Sequence, residues 1–168
     1  MSEANLLSID FESWMYADIP EHRALTSEQR KELDSGYIKR STEGLLSLLD
    51  TYKTKATFFI LADLFTWDPS VIDMIQDRGH EIAYHGHDHI RLTSAEILKS
   101  ELRKSEGFIK KYAPKGFRAP EIFFYKEYFD IIKEYGFTYD SSIYSSTAHI
   151  KKYSGIWEVP ITTSYYSH

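Results

Sequence analysis

Short apolar runs typical of buried strands alternate along this 168-residue chain with segments whose apolar spacing is helical. The strand-like runs cover residues 6–11, 55–62, 80–85, 117–120, 137–143 and 157–162. Because strands that alternate with helices pair in parallel, the pattern predicts an α/β fold with helical crossovers. A continuous succession of such units favours a barrel over an open sheet.

Helices are expected between these strands. Four leucines within residues 45–49 indicate one helix, which follows a polar stretch over 18–41. Thr93 with Glu96 three residues later has the form of a capping box and opens a second helix. A further helix is expected over 126–135, before a glycine.

Composition narrows the class of protein. With 42% hydrophobic residues the chain can bury one core, and its length favours a single domain over 1–168. A net charge of -5 with scattered basic residues argues against a nucleic-acid partner. The N-terminus lacks a leader-like pattern, and no apolar run approaches the ~20 residues of a membrane span. We therefore expect a soluble, cytoplasmic protein without a membrane span.

Three histidines fall within five residues, 85–89, directly after a strand-like run. Imidazole is the commonest neutral ligand of Zn²⁺, and His85 and His89 have a spacing that can bring two rings to one metal. With no cysteine in the chain, the remaining ligands must be carboxylates, which leaves zinc, cobalt, nickel, manganese or iron. His87 is expected behind the ligands or facing solvent. The alternative is a solvated, histidine-rich loop.

Other reactive side chains also follow predicted strands. Asp10 and Glu12 come after the first, Arg118 and Pro120 after the fourth, and Asp140 lies on the fifth. Since the carboxyl ends of parallel strands meet at one edge, this pattern indicates metal-assisted hydrolysis there. Each residue has a plainer alternative: Asp10 could cap a helix or turn, Arg118 could form a surface ion pair, and Asp140 could form an Asx-turn.

These motifs resemble those of the polysaccharide deacetylases, also called the NodB-homology or carbohydrate esterase family 4 group. The similar segments are residues 8–12, 56–59, 79–82, 85–89, 117–120, 139–142 and 157–160. The Asp-x-Glu form of the first segment resembles one branch of the family. The resemblance implies a distorted (β/α) barrel of the TIM-barrel-like type.

The resemblance also implies roles for individual residues. The implied catalytic residues are Asp10, Arg118 and Asp140. The implied ligands of a divalent metal, with zinc as the first choice, are Glu12, His85 and His89. Asp10 would be the base, kept ionised and aligned by Arg118. The backbone N–H near Glu121 would stabilise the oxyanion. Apart from the resemblance, Trp14 and Trp67 are candidates for stacking on a sugar, since a ring on a loop could cover a pyranose face.

The family's last motif supplies a late histidine as general acid, and this chain departs from it. Only His149 and His168 follow Asp140, and neither comes after an apolar strand. The comparison with the family predicts a C-terminally shortened barrel. Because an incomplete barrel exposes a strand edge, we expect a homodimer formed over that edge or poor solubility.

The implied activity is removal of acetyl groups from N-acetylated or O-acetylated sugars of a polysaccharide or surface glycan. Two alternatives stay open. The same barrel could hydrolyse small non-peptide amides, or the chain could be a non-catalytic metal-binding or glycan-binding relic, which the lack of a late histidine favours.

Overall fold

The structure, a computed structural model, describes residues 6–16 and 20–163. Its strands are β1 (Ser8–Phe11), β2 (Thr57–Ile60), β3 (Glu81–Tyr84), β4 (Gly116–Phe117), β5 (Tyr139–Asp140), β6 (Tyr144–Ser145), β7 (Lys151–Tyr153), β8 (Ile156–Glu158) and β9 (Ile161–Thr162). Its helices are α1 (Pro20–Arg23), α2 (Ser27–Asp34), α3 (Tyr37–Thr51), α4 (Leu64–Trp67), α5 (Pro69–Asp77), α6 (Ala95–Lys104), α7 (Glu106–Tyr112) and α8 (Tyr128–Glu134). Short 3-10 turns cover Trp14–Tyr16 and Pro120–Ile122. The N-terminal segment 1–5 and His168, which entered the predictions above, lie outside the described residues.

The main sheet has the order β1-β2-β3-β4-β5-β8-β7. Its first six strands pair in parallel and β7 joins antiparallel to β8, while β6 and β9 form a separate parallel pair. The predicted α/β architecture with helical crossovers is confirmed. Within the described ranges β1 and β7 are the two ends of the sheet, so the strands follow one another as in a (β/α) barrel without a pairing that closes it.

One hydrophobic core lies between the sheet and its helices. Its helical contribution comes from apolar stripes on α3, α5, α6 and α8, whose fully or almost fully buried members are Leu46, Leu49, Val71, Ile72, Ile75, Leu98, Leu102, Phe129 and Ile132. They pack with strand residues such as Phe58, Ile60 and Phe117. Each such side chain contributes roughly 1.5–3 kcal/mol when buried, so this face fixes the sheet on which the polar strand ends are mounted.

Two helices differ from the sequence predictions. Helix α2 forms inside the stretch expected to be merely polar, because the Thr26 side chain accepts the Gln29 N–H and Gln29 bonds back to the Thr26 N–H. The capping residue of α6 is Ser94 and not Thr93, and its side chain accepts the N–H of Ile97 at 3.3 Å. Competing caps one residue apart are not distinguished by sequence spacing alone.

The C-terminal strand was predicted as one run over 157–162, and the structure divides it. Strand β8 ends at Glu158, and β9 pairs with β6 instead of continuing the main sheet. Pro160 lies between them and has no N–H to donate to a neighbouring strand. The hairpin from β7 to β8 turns through Ser154 and Gly155, both with positive φ (49° and 91°).

Gly116 allows β4 to lie close to β5. A Cβ at this position would fall 2.2 Å from the ring of Tyr139, a distance that only a movement of the ring or the strand could relieve. Gly116→Ala is expected to lower the free energy of unfolding by about 1–3 kcal/mol, measured by urea denaturation. Gly44→Ala is the control: Gly44 lies in α3 with no atom within 4 Å of the added carbon, and the change should stabilise by about 0.5–1 kcal/mol. Equal effects of the two substitutions would contradict this packing argument.

No helix among the described residues is both long and apolar enough to cross a membrane. The cytoplasmic location, the single domain over 1–168 and the homodimer stay predictions from the sequence.

Candidate metal centre and hydrolytic site

The candidate site lies where the first four parallel strands end. Asp10 is on β1, His85 follows β3 and Arg118 follows β4, so all three lie at the same edge of the sheet. Arg118 donates through Nη1 to Asp10 Oδ1 at 2.5 Å, across 108 residues of sequence. The two side chains predicted to work together are therefore in direct contact.

Arg118 is held on every side of its guanidinium. It donates through Nη2 to Ser8 Oγ at 3.0 Å and to Ser141 Oγ at 2.8 Å, and through Nε to the Ser141 carbonyl at 3.0 Å. Its plane covers the ring of Phe59 at 3.9 Å from the centroid, and the residue is only 5% exposed. Such a buried, multiply bonded guanidinium is not the surface ion pair of the alternative interpretation, and it orients the Asp10 carboxylate.

His85 has one ring nitrogen committed and one available. Its Nδ1 lies 3.0 Å from the Arg118 carbonyl, and since a carbonyl only accepts, Nδ1 carries the proton and Nε2 carries the lone pair. Burial, opposed by nearby Asp10, lowers the pKa of His85 to about 4. A neutral imidazole with a fixed tautomer is the form that binds a metal.

Glu12 and His89 complete the predicted ligand set. His89 Nε2 lies 3.2 Å from Glu12 Oε2, and the rings of His89 and His85 are 5.6 Å apart. Burial raises the pKa of Glu12, an effect opposed by His89 and reinforced by Asp10. A bound cation would remove that penalty by favouring the charged carboxylate. One carboxylate and two imidazoles are a donor set that fits a divalent metal such as zinc.

Two residues of the histidine loop have a left-handed backbone conformation. His89 itself has φ 54°, a left-handed conformation that few residues other than glycine adopt. Gly86 has φ 84°, and a Cβ there would lie 2.9 Å from Pro120 Cγ. The turn thus brings the histidine loop against the loop that follows β4.

Glu101 on α6 secures the same loop from behind. Its fully buried carboxylate accepts the backbone N–H groups of His87 at 3.0 Å and Asp88 at 2.8 Å. Sequence analysis missed this residue, although a glutamate next to the apolar stripe of a predicted helix, between Leu98 and Leu102, was a possible indication.

A second group of donors lies nearby. Of the residues that the structure describes, only Asp63, His87 and Asp88 each place one donor atom within 4.8 Å of the others. His87 is largely buried and its Nδ1 lies 3.1 Å from Ser105 Oγ, so it lies behind the predicted ligands and does not face solvent. Asp88 already pairs with Lys104 Nζ at 2.6 Å. A cation in this group would compete with that ammonium.

Asp140 lies behind the site. The ring of Tyr139 packs against the ring of Phe59, which Arg118 covers, so Tyr139 lies on the same face of the sheet as the site. Because successive residues of a strand point to opposite faces, Asp140 points to the other face. Asp140 is fully buried there and accepts the Ser142 N–H at 3.0 Å and the Ser142 hydroxyl at 2.7 Å. It forms the Asx-turn of the alternative interpretation, and its described hydrogen bonds do not reach Asp10.

Glu158 is a buried carboxyl group that the sequence analysis did not single out. It is 3% exposed and is the register partner of Asp140 on the neighbouring strand. Burial, together with the adjacent Asp140 carboxyl, raises the pKa of Glu158 to about 10. An acidic residue inside the otherwise apolar segment 156–159 was the available indication.

The Glu158 pKa predicts a pH effect on stability. Folding raises this pKa from 4.5 to about 10, so the associated stability is fully present below pH 4.5 and is lost as the pH rises towards 10. Glutamine at this position cannot ionise. Between about pH 5 and about pH 8 the free energy of unfolding of Glu158→Gln should therefore fall by at least about 1 kcal/mol less than that of the wild type. Urea denaturation at both pH values measures the difference. Parallel pH curves for the two proteins would contradict it.

The remaining residues that the sequence analysis proposed for the site differ in their exposure to solvent and in their partners. Trp14 is 44% exposed and available for a ligand, whereas Trp67 is 5% exposed and donates through Nε1 to Asp63, so the prediction of Trp67 as a sugar platform is wrong. Glu121 has φ 55° within the turn after β4, and its carboxylate pairs with Arg91. His149 is exposed and lies outside the helices and strands.

The fold and this set of residues define a mixed α/β protein with a cluster of polar side chains at the carboxyl ends of its parallel strands. A family model described as polysaccharide deacetylase matches residues 32–139, almost two thirds of the chain. The chain belongs to the polysaccharide deacetylase family. The match includes the two histidines and Arg118 and ends just before Asp140, while Asp10 and Glu12 lie outside it.

Individual relatives agree with this membership. A peptidoglycan-N-acetylglucosamine deacetylase of Bacillus cereus is 29% identical over 108 residues, which are 62% of this chain and 51% of that protein. The chain thus spans about half the length of this curated relative. A candidate polysaccharide deacetylase from Mycobacterium smegmatis shares the fold with a TM-score of 0.68 at 23% identity, over 94% of this chain and 58% of that one. A family 4 carbohydrate esterase from Streptomyces lividans, in complex with acetate, gives a TM-score of 0.55 at 25% identity, over 63% and 58% of the two chains.

Proposed function

We propose that this protein is a metal-dependent deacetylase that removes acetyl groups from the N-acetylated sugars of a polysaccharide or surface glycan. The observation that carries the proposal is the contact between Asp10 and Arg118. Beside it, Glu12 and His89 are 3.2 Å apart and the His85 and His89 rings are 5.6 Å apart, so the three donors are neighbours but not as close together as those of Asp63, His87 and Asp88. A carboxylate base held next to a metal-binding triad is suited to hydrolysis of an amide or ester. Family membership supports the same reaction.

Glu12, His85 and His89 would hold the metal, most suitably zinc, through one carboxylate oxygen and two imidazole nitrogens. When bound, the metal supplies a Lewis acid that polarises the acetyl carbonyl and acidifies water. The three donors Asp63, His87 and Asp88, here called the Asp63 group, form the competing metal site. The Glu12 set is favoured because Asp88 and Lys104 already neutralise each other in the Asp63 group.

Residues of the chain would orient the reacting groups, and Asp10 would carry the proton of the attacking water to the amine nitrogen that leaves as the C–N bond breaks. Asp10 accepts the proton of the attacking water, since Arg118 holds its carboxylate in a fixed direction. The backbone N–H of Glu121, in the turn after Pro120, would donate to the oxyanion that forms on the acetyl carbon. Trp14 lies next to Glu12 at one rim of the site and offers an exposed ring for stacking on a sugar.

The substrate class is argued from the relative in Bacillus cereus, whose name states that it deacetylates peptidoglycan N-acetylglucosamine. We propose an N-acetylhexosamine unit of a glycan for this chain too. The O-acetyl and small-amide alternatives are tested by including such compounds in the same assay.

The test is acetate release by metal-stripped protein reloaded with Zn²⁺ or Co²⁺, over a panel of N-acetylated glycans, O-acetylated sugars and ureide-like amides. Metal-dependent release from the N-acetylated glycans supports the proposal. Release only from the small amides would replace it with the amidase alternative. Stoichiometric metal binding without any release would support the non-catalytic alternative, which the exposed position of His149 favours.

A further inference from the structure

The proposed reaction uses the face of the sheet that carries Arg118, but the most deeply buried acidic pair lies on the opposite face. Asp140 on β5 and Glu158 on β8 are partners in the parallel register, so their side chains lie side by side. Both are almost completely excluded from solvent. Two carboxylates in such a position cannot both be charged without a large cost, so the pair retains a proton.

The proton belongs on Glu158. Asp140 already accepts two hydrogen bonds from Ser142, which favour its ionised form, whereas neither carboxyl oxygen of Glu158 meets a donor in hydrogen-bond geometry among the described residues. The raised pKa of Glu158 has the same direction. A neutral Glu158 has an O–H to donate and the adjacent Asp140 oxygen is its natural acceptor.

The other groups around Glu158 do not change this assignment. Its register partner on β7, Lys151, is exposed, and the Arg118 guanidinium is directed to Asp10 and Ser141 on the other face. The backbone N–H of Ile143 and the charge of Arg118 both lower the pKa of Glu158, but burial and the Asp140 carboxyl outweigh them. No cation that the structure describes forms an ion pair with Glu158.

Ser141 and Ser142 connect this buried pair to the site. Ser142 Oγ donates to Asp140 and accepts the N–H of Ala119 at 2.8 Å, while Ser141 bonds Arg118 through both its hydroxyl and its carbonyl. Ser142 is therefore fixed by Asp140, and the preceding residue, Ser141, holds the guanidinium. Ala119 directly follows Arg118, so the main chain on both sides of this contact is restrained.

We propose that Glu158 is a positioning residue for the Asp10–Arg118 pair: its protonated carboxyl donates to Asp140 and thereby fixes the Ser141–Ser142 segment that holds Arg118. Glu158 does not touch substrate. It acts through three linked contacts, and a small displacement of a catalytic base can cost a large part of the rate. The kinetic part of this inference rests on the proposed deacetylase function, while the hydrogen-bond part does not.

The test compares Glu158→Gln, which keeps a neutral donor of the same length, with Glu158→Leu, which keeps the bulk and loses the donor. In the full chain loaded with Zn²⁺, E158Q should stay within about threefold of the wild-type kcat, and E158L should lower kcat by about tenfold with little change in KM. A wild-type kcat in folded E158L, or an equal loss in E158Q, would overturn the proposal. Ser142→Ala removes the same link without altering the acid and should match E158L, while Ser145→Ala, whose hydroxyl bonds only Thr147 among the described contacts, should not.

Two readouts do not depend on activity. Infrared spectra at about pH 8 should contain the carbonyl band of a protonated carboxylic acid that is lost in E158Q and kept in Asp63→Asn, since pH 8 lies below the Glu158 pKa of about 10. Amide exchange at Ala119 should be about tenfold faster in E158L than in wild type and unchanged in E158Q. If the wild type releases no acetate while the infrared band and the exchange at Ala119 change as expected, the proposed function fails and the hydrogen-bond assignment stands. An unchanged band in E158Q would overturn the assignment itself.

Discussion

Asp10→Asn is expected to lower kcat for acetate release by about 10²–10⁴-fold while the protein still folds and binds metal. The amide has the shape of the carboxylate but cannot accept the proton of the attacking water. It also loses the negative charge that Arg118 pairs with at 2.5 Å, although the amide oxygen can still accept the hydrogen bond from Arg118 Nη1. Steady-state acetate release at saturating substrate measures the change.

The matched control is Asp73→Asn. Asp73 is a carboxylate on α5 that pairs with Lys111 at 2.7 Å at the protein surface, and its loss should leave kcat within about twofold, since exposed ion pairs contribute little. If Asp10→Asn retained the wild-type rate, Asp10 would not be the base and the proposed mechanism would be wrong.

Loss of a predicted ligand should have the second large effect. His89→Ala is expected to weaken Zn²⁺ binding by at least about 100-fold and to abolish metal-dependent acetate release, because it removes one of three donors and leaves Glu12 without its 3.2 Å partner. Isothermal titration of metal-stripped protein gives the affinity, and the absorption of bound Co²⁺ reports the coordination number. His149→Ala, an exposed histidine in a loop, should change neither quantity.

The same titration decides between the two candidate metal sites. Asp88→Asn removes a donor of the Asp63 group but none of the Glu12 set. If the metal is bound by Glu12, His85 and His89, this variant keeps the wild-type stoichiometry and His89→Ala loses it. The reverse result would assign the metal to Asp63, His87 and Asp88 and would overturn the proposed ligand set.

The position of the reactive residues at the strand ends could be predicted from the sequence. Hydrophobic periodicity identified the buried strands, and the rule that parallel strands end at one edge was enough to expect Asp10, His85 and Arg118 together. The contact of Arg118 with Asp10 spans 108 residues, and no local pattern specifies such a distance. The expectation that these two residues meet depended on the resemblance to a family and on the order of the strands.

Local signals also failed where tertiary contacts compete with them. A tryptophan such as Trp67 has a ring that could stack on a sugar. In the structure, however, α4 places this ring in the core, where its Nε1–H donates a hydrogen bond to Asp63. Helix α2 was overlooked because a capping box in a polar stretch gives little periodicity, and its first turn is nevertheless fixed by Thr26 and Gln29.

By itself the sequence determined the alternation of strands and helices, the reactive residue types at the strand ends and the membership of a family, since these depend on periodicity and motif spacing along the chain. The tertiary structure alone decided that Arg118 is enclosed by Ser8, Phe59 and Ser141, that Asp140 points away from the site, and that Glu158 lies beside it as a buried acid. The physical reason is that burial, side-chain direction and proton affinity are set by neighbours from distant segments, and strand register brings those neighbours together.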